Sequence, residues 1–175
     1  ITEPWTGTVS QDWSGEGSID IYVAANATFT GAWWNDDTPV NIYILPGAVL
    51  TYCEIGWDNM AKIKKGTKVY CWGNIDTPEK KGFRLYEGGL VHIYDTEGAP
   101  FFVRGNDAYV TFQVDVPSEF YCEREMYVDG TAQFNGGNSH FANKLTIAKN
   151  LYVEYGAVAT FDDCVYILEE LDFKA

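Results

Sequence analysis

The sequence predicts an all-β chain coiled as a single-stranded, right-handed parallel β-solenoid, and three observations lead to this prediction. A unit of strand, glycine corner and strand recurs along the chain, most clearly at residues 151–161 (LYVEYGAVATF). Side chains in each unit alternate between two faces, which is the period of a β-strand. No amphipathic pattern is long enough for a helix of three turns, which argues against α/β folds.

Copies of this unit set the period of the solenoid. Close copies lie at residues 21–29, 42–52 and 126–134, and looser ones at residues 84–94 and 102–112. Equivalent tyrosines are 43 − 22 = 21 and 152 − 127 = 25 residues apart. A period of about 20 residues with irregular insertions is typical of a solenoid and predicts about six or seven rungs. We expect right-handed crossovers because that sense dominates parallel connections.

The 175 residues suit one domain, which we divide into three parts. Residues 1–18 lack sustained alternation and are assigned to an N-terminal cap, and residues 19–167 are assigned to the rungs. Residues 168–175 form a C-terminal cap or mark the point where a longer protein was cut, although the stretch from Val165 starts as a strand and a final rung is the alternative. A β-sandwich is the alternative fold, because short strands with turns every ~8 to 12 residues also describe it. Parallel stacking of like residues on successive turns would distinguish the solenoid from the sandwich.

A triplet of hydrophobic residue, tyrosine and hydrophobic residue recurs along the chain. In a strand the flanking pair should face the core while the tyrosine faces outward. Stacked on successive rungs, these triplets predict a surface tyrosine file of Tyr22, Tyr43, Tyr70, Tyr127, Tyr152 and Tyr166. The file is interpreted as a binding platform, a surface packed on another domain, or a ladder that stabilises only itself. A second file after the corner should face inward: Phe29, Tyr52, Phe112, Phe134 and Phe161.

The charge of the chain excludes some partners. The net charge is −13 and the pI is near 4.4, so nucleic acid and anionic membrane surfaces are repelled. No apolar run approaches the roughly 18 to 20 residues that span a bilayer. We therefore expect no nucleic-acid partner and no membrane span.

The cysteines match no CxxC or Cys/His metal pattern. Cys53 and Cys71 lie 71 − 53 = 18 residues apart, about one turn of a solenoid. If they stack on adjacent rungs, a separation of about 4.8 Å falls within the Cα window of a disulfide. The alternative is two small buried residues in the core.

The aromatic content suggests a carbohydrate-binding surface. Sugars stack their apolar faces on aromatic rings, while carboxylates and amides bind their hydroxyl groups. If the loops after successive rungs gather on one edge, tryptophans and acidic residues form a glycan-binding patch there. The alternative is that the tryptophans cover the corners of the core. The candidate ligand-binding residues are Trp33, Trp34, Asp36, Asp37, Trp57 and Trp72.

Catalysis is weighed against this binding role. Adjacent Asp162 and Asp163 resemble the paired aspartates of polygalacturonase-type hydrolases, but neither His92 nor His140 stands in a Gly-His-Gly setting. A lyase needs a base and a cation beside a carboxylate, and the lysines clustered at residues 62–68 are typical of a solvated face. We predict no catalytic residues and no enzyme, with a polysaccharide lyase or hydrolase of the β-helix type as the alternative.

No cofactor is predicted. The glycine-rich calcium repeat of β-rolls and the EF-hand loop are both absent. Isolated weak calcium sites at Asp36–Asp37 or Asp162–Asp163 stay open as alternatives.

Residues 144–161 (KLTIAKNLYVEYGAVATF) resemble the single-stranded β-helix domains of bacterial cell-surface and lipid-anchored proteins. The resemblance extends over residues 19–167 and implies an exported, extracellular chain. Members of such groups are often one module of an adhesin or a glycan-handling assembly, whose partners are glycans or proteins at a cell surface. We therefore expect a non-catalytic adhesive or structural module with glycan contact through exposed aromatics. A subunit of a surface assembly or filament is a further alternative.

Overall fold

The computed structural model consists of β-strands that stack in parallel. It describes residues 1–11, 17–34, 39–52, 61–63, 67–76, 82–85, 88–96, 99–103, 111–114, 117–154 and 156–173. These residues contain strands β1 to β21, numbered in chain order, and no helix. Within this part of the chain there is accordingly no helix long and apolar enough to cross a membrane.

The first face of the solenoid is a seven-stranded sheet in which every pairing is parallel. Its strands, in spatial order, are β2 (Ile19–Val23), β4 (Val40–Ile44), β7 (Thr67–Cys71), β10 (Leu90–Ile93), β13 (Glu119–Cys122), β16 (Asn138–Phe141) and β19 (Val158–Phe161).

The second face is formed by two four-stranded parallel sheets. The first contains β1 (Trp5–Gln11), β3 (Ala27–Trp34), β5 (Val49–Tyr52) and β8 (Asn74–Asp76). The second contains β11 (Phe101–Val103), β14 (Met126–Val128), β17 (Leu145–Ile147) and β20 (Val165–Ile167).

The third face is a six-stranded parallel sheet. It consists of β6 (Ala61–Ile63), β9 (Gly82–Leu85), β12 (Thr111–Val114), β15 (Thr131–Phe134), β18 (Asn150–Val153) and β21 (Glu170–Phe173).

The predicted fold class is confirmed, because the chain visits the three faces in turn and every strand pairing is parallel. Antiparallel sheets, which a β-sandwich requires, do not occur among the described strands. The described solenoid has about five turns instead of the predicted six or seven. Some turns are longer than the sequence period of about 20 residues: β10 and β13, which are neighbours in the first sheet, start 119 − 90 = 29 residues apart. The right-handed sense stays a prediction.

Stacking extends into both segments that the sequence assigned to caps. Within residues 1–18, strand β1 pairs in parallel with β3, and the ring of Trp5 packs edge-on against Phe29. Within residues 168–175, strand β21 pairs with β18. The alternation within residues 1–18 is too weak to predict β1, whereas β21 agrees with the alternative of a final rung.

The core is built from side chains that repeat the same position on successive turns. On the first face Ile42, Val69 and Val91 are paired in register and fully buried. Full burial of one such aliphatic side chain contributes about 1.5 to 3 kcal/mol. Of the predicted inward file, Phe29 and Phe134 are buried, and Phe161 is half-buried in the last turn. The side chains of Tyr52 and Phe112 lie outside the described part.

The predicted direction of the tyrosine triplets is confirmed. In β4 and β7 the flanking residues are buried while Tyr43 and Tyr70 are partly exposed. The same pattern holds in β14, and in the last turn Tyr166 is exposed between half-buried neighbours. Local alternation alone therefore determines which way these side chains point.

The predicted disulfide is not supported at Cys71. Its thiol is free and buried, and its partners across the sheet are Ile44 and Ile93. Burial raises the pKa of this thiol to about 12, so it stays protonated. Cys53 lies outside the described residues. Of the two alternatives, the small buried residue in the core describes Cys71.

Gly73 lies in the corner after β7, and a substitution there would test how tightly successive turns pack. A Cβ there would lie 2.2 Å from the carbonyl oxygen of Ala48 and 2.5 Å from that of Leu45. We expect Gly73→Ala to lower the free energy of unfolding by about 3 kcal/mol or more, because the overlap is with rigid backbone. Gly156→Ala is the control, since it meets open space and costs only about 1 to 2 kcal/mol for its positive φ. Equal losses in urea unfolding would contradict this packing argument.

Candidate functional site

The structure separates the tryptophans that were predicted to share an edge. Trp33 and Trp34 are the last two residues of β3, whereas Trp72 lies in the corner just before β8. On the second face, these positions are at opposite ends of the strands. The side chains of Trp33 and Trp34, and the whole of Asp36, Asp37 and Trp57, lie outside the described part. Trp72 is the one candidate whose surroundings can be followed.

The six predicted tyrosines do not form one file. Tyr22, Tyr43 and Tyr70 are paired in register on the first face. Tyr127 and Tyr166 lie on the second face with Thr146 between them, and Tyr152 lies on the third face beside Gln133. The corners differ in length, so equal sequence patterns fall on different faces.

The first face extends its tyrosines into a longer row that the sequence analysis missed. The next residues in register after Tyr70 are His92, Tyr121 and His140. We call the row Tyr22, Tyr43, Tyr70, His92, Tyr121 and His140 the axial file. Its signal in the sequence is the same central strand position, in LVHI, EFYC and NSHF.

Rings at the start of the axial file stack on one another. The Tyr22 and Tyr43 centroids are 4.8 Å apart with planes 12° apart, and Tyr43 and Tyr70 follow at 5.2 Å and 14°. Each pair contributes about 0.5 to 1 kcal/mol. Because the face of Tyr43 is covered on both sides, it offers its edge and hydroxyl group to a ligand. This arrangement favours the self-stabilising interpretation for these tyrosines over a platform for sugar stacking.

Trp72 belongs to a second group of rings, which we call the ring stack: Trp72, Tyr94 and His92. Trp72 and Tyr94 are 4.4 Å apart with planes only 2° apart, and Tyr94 and His92 are 3.9 Å apart at 13°. Burial raises the pKa of the Tyr94 hydroxyl, as do the nearby Tyr70 and Glu123. The stack fixes the orientation of the half-buried indole at the corner.

Glu123 connects the ring stack to the following turn. Its Oε1 lies 2.6 Å from His92 Nε2, and its Oε2 accepts a hydrogen bond of 3.1 Å from the backbone N–H of Asp95. Partial burial alone would raise the pKa of Glu123, but the hydrogen bonds from Asp95 and His92 and the charge of Arg124 together lower it. Glu123 is therefore ionised at neutral pH.

Arg124 is a buried cation that holds three turns together. Its Nε donates to the carbonyl oxygen of Tyr94 at 2.6 Å. Its Nη1 and Nη2 donate to the carbonyl oxygens of Gly73 and Trp72, each at 2.9 Å. Only 4% of the residue is exposed. Backbone N–H groups pair some corner carbonyls, such as those of Ala48 and Glu125, and the guanidinium pairs the carbonyls of Trp72, Gly73 and Tyr94.

Beside this clamp lies a recess of about 260 Å³, which we call the corner site. Its lining residues come from three successive turns: Asp95, Ala99, Arg124, Glu125 and Asn143. Glu125 accepts hydrogen bonds from Lys144 Nζ at 3.0 Å and from the Tyr127 hydroxyl at 3.1 Å. These bonds lower the pKa of Glu125, and the pairing raises that of Lys144.

The corner site presents mainly hydrogen-bond acceptors. Carboxylates of Asp95 and Glu125 face a small polar space, and Arg124 ties this space to the ring stack through the carbonyl of Trp72. The cations are already engaged, because Arg124 donates to three carbonyls and Lys144 pairs with Glu125. This set of groups suits binding of hydroxyl groups better than abstraction of a proton.

The other acidic pair is a turn on the surface. Asp162 is exposed and lies 2.8 Å from His140 Nε2, while Asp163 accepts a hydrogen bond from the N–H of Cys164. In the part of the chain that the structure describes, no three His, Cys, Asp or Glu side chains are grouped to hold a metal ion.

Comparison with known proteins gives no relative: no family model, no curated protein and no solved structure matches the chain.

Arg124 should contribute more to the free energy of unfolding than an exposed cation does. We expect Arg124→Met to lower the free energy of unfolding by roughly 2 to 4 kcal/mol, because three corner carbonyls lose a buried donor. Lys68→Met, at an exposed position in β7, should change it by less than about 0.5 kcal/mol. Urea titrations of both variants measure the difference. A loss no larger for Arg124→Met than for Lys68→Met would rule out the clamp.

The lowered pKa of Glu123 predicts how the free energy of unfolding depends on pH. A carboxylate with a lowered native pKa stabilises the fold above its ordinary value of 4.5, and this stabilisation disappears as the pH falls through the native pKa. Glu123→Gln should thus be less stable than wild type at neutral pH, and the gap should narrow below pH 4.5. Urea unfolding over a pH series measures the gap, with the exposed Glu169→Gln as the matched control. A gap for Glu123→Gln that does not change with pH would contradict this role.

Proposed function

We propose that this chain is a non-catalytic, extracellular adhesive or structural module that contacts glycans at the corner site. The observation that supports it is a recess lined by Asp95, Glu125 and Asn143, which Arg124 connects through the Trp72 carbonyl to the ring stack. Rings that cover apolar sugar faces, beside oxygens and amides that bind hydroxyl groups, are the features of a carbohydrate site.

The size of the recess narrows the proposed ligand. Pockets that enclose a drug-sized molecule measure roughly 300 to 1,000 Å³, and the corner site is smaller. It therefore fits one terminal or branching sugar of a longer glycan, with the rest of the glycan in solvent. The net charge of −13 disfavours acidic polysaccharides, so the proposed sugar is neutral or carries an amino group.

The rest of the proposal rests on the fold. A parallel solenoid is rigid along its axis and displays side chains at regular intervals, which suits a spacer or adhesive module. The resemblance of residues 144–161 to bacterial β-helix domains supports a location at a bacterial cell surface. A glycan or a surface protein is then the partner.

A β-helix polysaccharide lyase or hydrolase is the second candidate. Asp95, Arg124 and Glu125 do converge from neighbouring turns, as such an enzyme requires. The hydrogen bonds that engage Arg124 and Lys144 count against it, since neither cation is available as a base. The third candidate, a subunit of a surface assembly, is favoured by exposed apolar residues of the last turn, where Leu168 is 68% exposed.

A glycan array tests the proposal. We expect selective binding that drops about tenfold or more in Trp72→Ala and in Asp95→Asn, a loss of about 1.4 kcal/mol in each. Trp33→Ala is the matched tryptophan control, because its backbone lies at the opposite end of the second face, and Asp20→Asn, at an exposed position in β2, is the matched carboxylate control. Both controls should bind like wild type.

Three outcomes would count against the proposal. A blank array from folded protein moves the assignment to a structural or protein-binding surface. Equal losses in the controls place the ligand elsewhere. New reducing ends or unsaturated products from a bound glycan would show catalysis and support the enzyme instead.

A further inference from the structure

A second polar surface lies on the outer side of β1, β3, β5 and β8, on a different face from the axial file. Thr6 pairs in register with Thr28, Thr28 with Thr51, and Thr51 with Asp76. Ala27 and Leu50, which precede Thr28 and Thr51 in their strands, are buried, so the threonines point outward. We call the row Thr6, Thr28, Thr51 and Asp76 the threonine file.

The threonine file lines a groove. The groove measures about 460 Å³, inside the range of ligand pockets, and it is larger than the corner site. With strands about 4.8 Å apart, the three steps from Thr6 to Asp76 extend about 14 Å along the solenoid axis. The full lining is Pro4, Trp5, Thr6, Asn26, Ala27, Thr28, Val49, Thr51 and Asp76.

The hydroxyl groups of this groove are available to a ligand. Within the described part of the chain, the hydroxyls of Thr6, Thr28 and Thr51 have no hydrogen-bond partner, whereas Thr8 and Thr30 beside them lie 3.4 Å apart. Each free hydroxyl can both donate and accept. The row therefore offers mixed donors and acceptors at a regular spacing.

The two ends of the groove differ. At one end Trp5 contributes to the lining, but its indole lies on the core side of β1, against Phe29 at a centroid distance of 5.8 Å and over Gly7. At the other end is the exposed carboxylate of Asp76. The groove thus combines a row of hydroxyls with one carboxylate acceptor.

Charge decides the class of ligand. The described lining contains no Lys, Arg or His, so an anionic ligand finds no countercharge. One carboxylate over about 14 Å is too little for a basic peptide. A neutral, hydroxyl-rich chain matches this hydrogen-bonding capacity.

We propose that this groove binds a short neutral oligosaccharide laid along the solenoid axis, with its hydroxyl groups on the threonine file. The site shares its ligand class with the corner site but none of its residues. The chain then holds a glycan at two places, one for a single sugar and one for an extended segment.

Methyl NMR of the whole chain tests this proposal. The probes are linear β-linked hexasaccharides of glucose, xylose, mannose and N-acetylglucosamine, with polygalacturonate as an acidic comparison. We expect at least one neutral probe to shift the methyl signals of Thr6, Thr28 and Thr51 in a saturable way. The double variant Thr28→Val and Thr51→Val should weaken this binding roughly tenfold or more, because it removes two hydroxyls.

The controls separate this groove from folding effects and from the corner site. Valine keeps the branched shape and strand preference of threonine, so circular dichroism should be unchanged. The same replacement at Thr146 and Thr160, on other parts of the surface, should leave binding unchanged. In Trp72→Ala the threonine shifts should persist, whatever the array shows for the corner site.

Each contrary result overturns the inference. Absence of threonine shifts with all four neutral probes excludes an oligosaccharide from the groove. Unchanged binding in the double variant removes the hydroxyls from recognition. Shifts with polygalacturonate alone contradict the charge argument, and loss of the shifts in Trp72→Ala means that the groove is not a separate site.

Discussion

The structure depends on parallel strands that stack in register, with a shift between Gly7 and Thr8 in the first strand. A slip of one residue in any strand would turn its core residues outward and its exposed residues inward, so register and core packing enforce each other. The same constraint creates the surface rows. Once Ile42 lies over Val69 in the core, Tyr43 must lie over Tyr70 outside. The axial file and the threonine file are therefore by-products of core packing that are open to use as binding surfaces.

The corners between strands are not held in register, and the candidate site lies at such corners. Three residues join β13 to β14 (123 to 125), whereas seven join β10 to β11 (94 to 100). Backbone carbonyls in such unequal corners cannot all pair with a neighbouring turn, and Arg124 supplies the missing donors. A guanidinium placed for structural reasons also brings the ring stack and the carboxylates of the recess to one place. Stability and site geometry thus share one residue.

The sequence could predict what depends on local alternation and could not predict what depends on corner length. The solenoid fold and the direction of Tyr43 follow from a period of two, and both are confirmed. The face on which Tyr127 or Tyr152 lies depends on the residues inserted between strands, which a repeat pattern does not measure. Trp72 was singled out, but its neighbour Tyr94 was not, because their contact joins turns 94 − 72 = 22 residues apart. Nothing local to Arg124 signals its burial.

The direction of the hydrogen bonds between turns has a mechanical consequence. These bonds run parallel to the solenoid axis, since strands lie across it and pair with the turn above and the turn below. A force applied along the axis therefore loads the bonds of one turn at a time, and a solenoid in which each turn contacts only its neighbours yields stepwise. Arg124 donates hydrogen bonds to carbonyls of the two preceding turns, so separating these turns must also break side-chain bonds. Under tension along the axis, the chain would therefore lengthen in steps, and the rupture of each turn would dissipate energy.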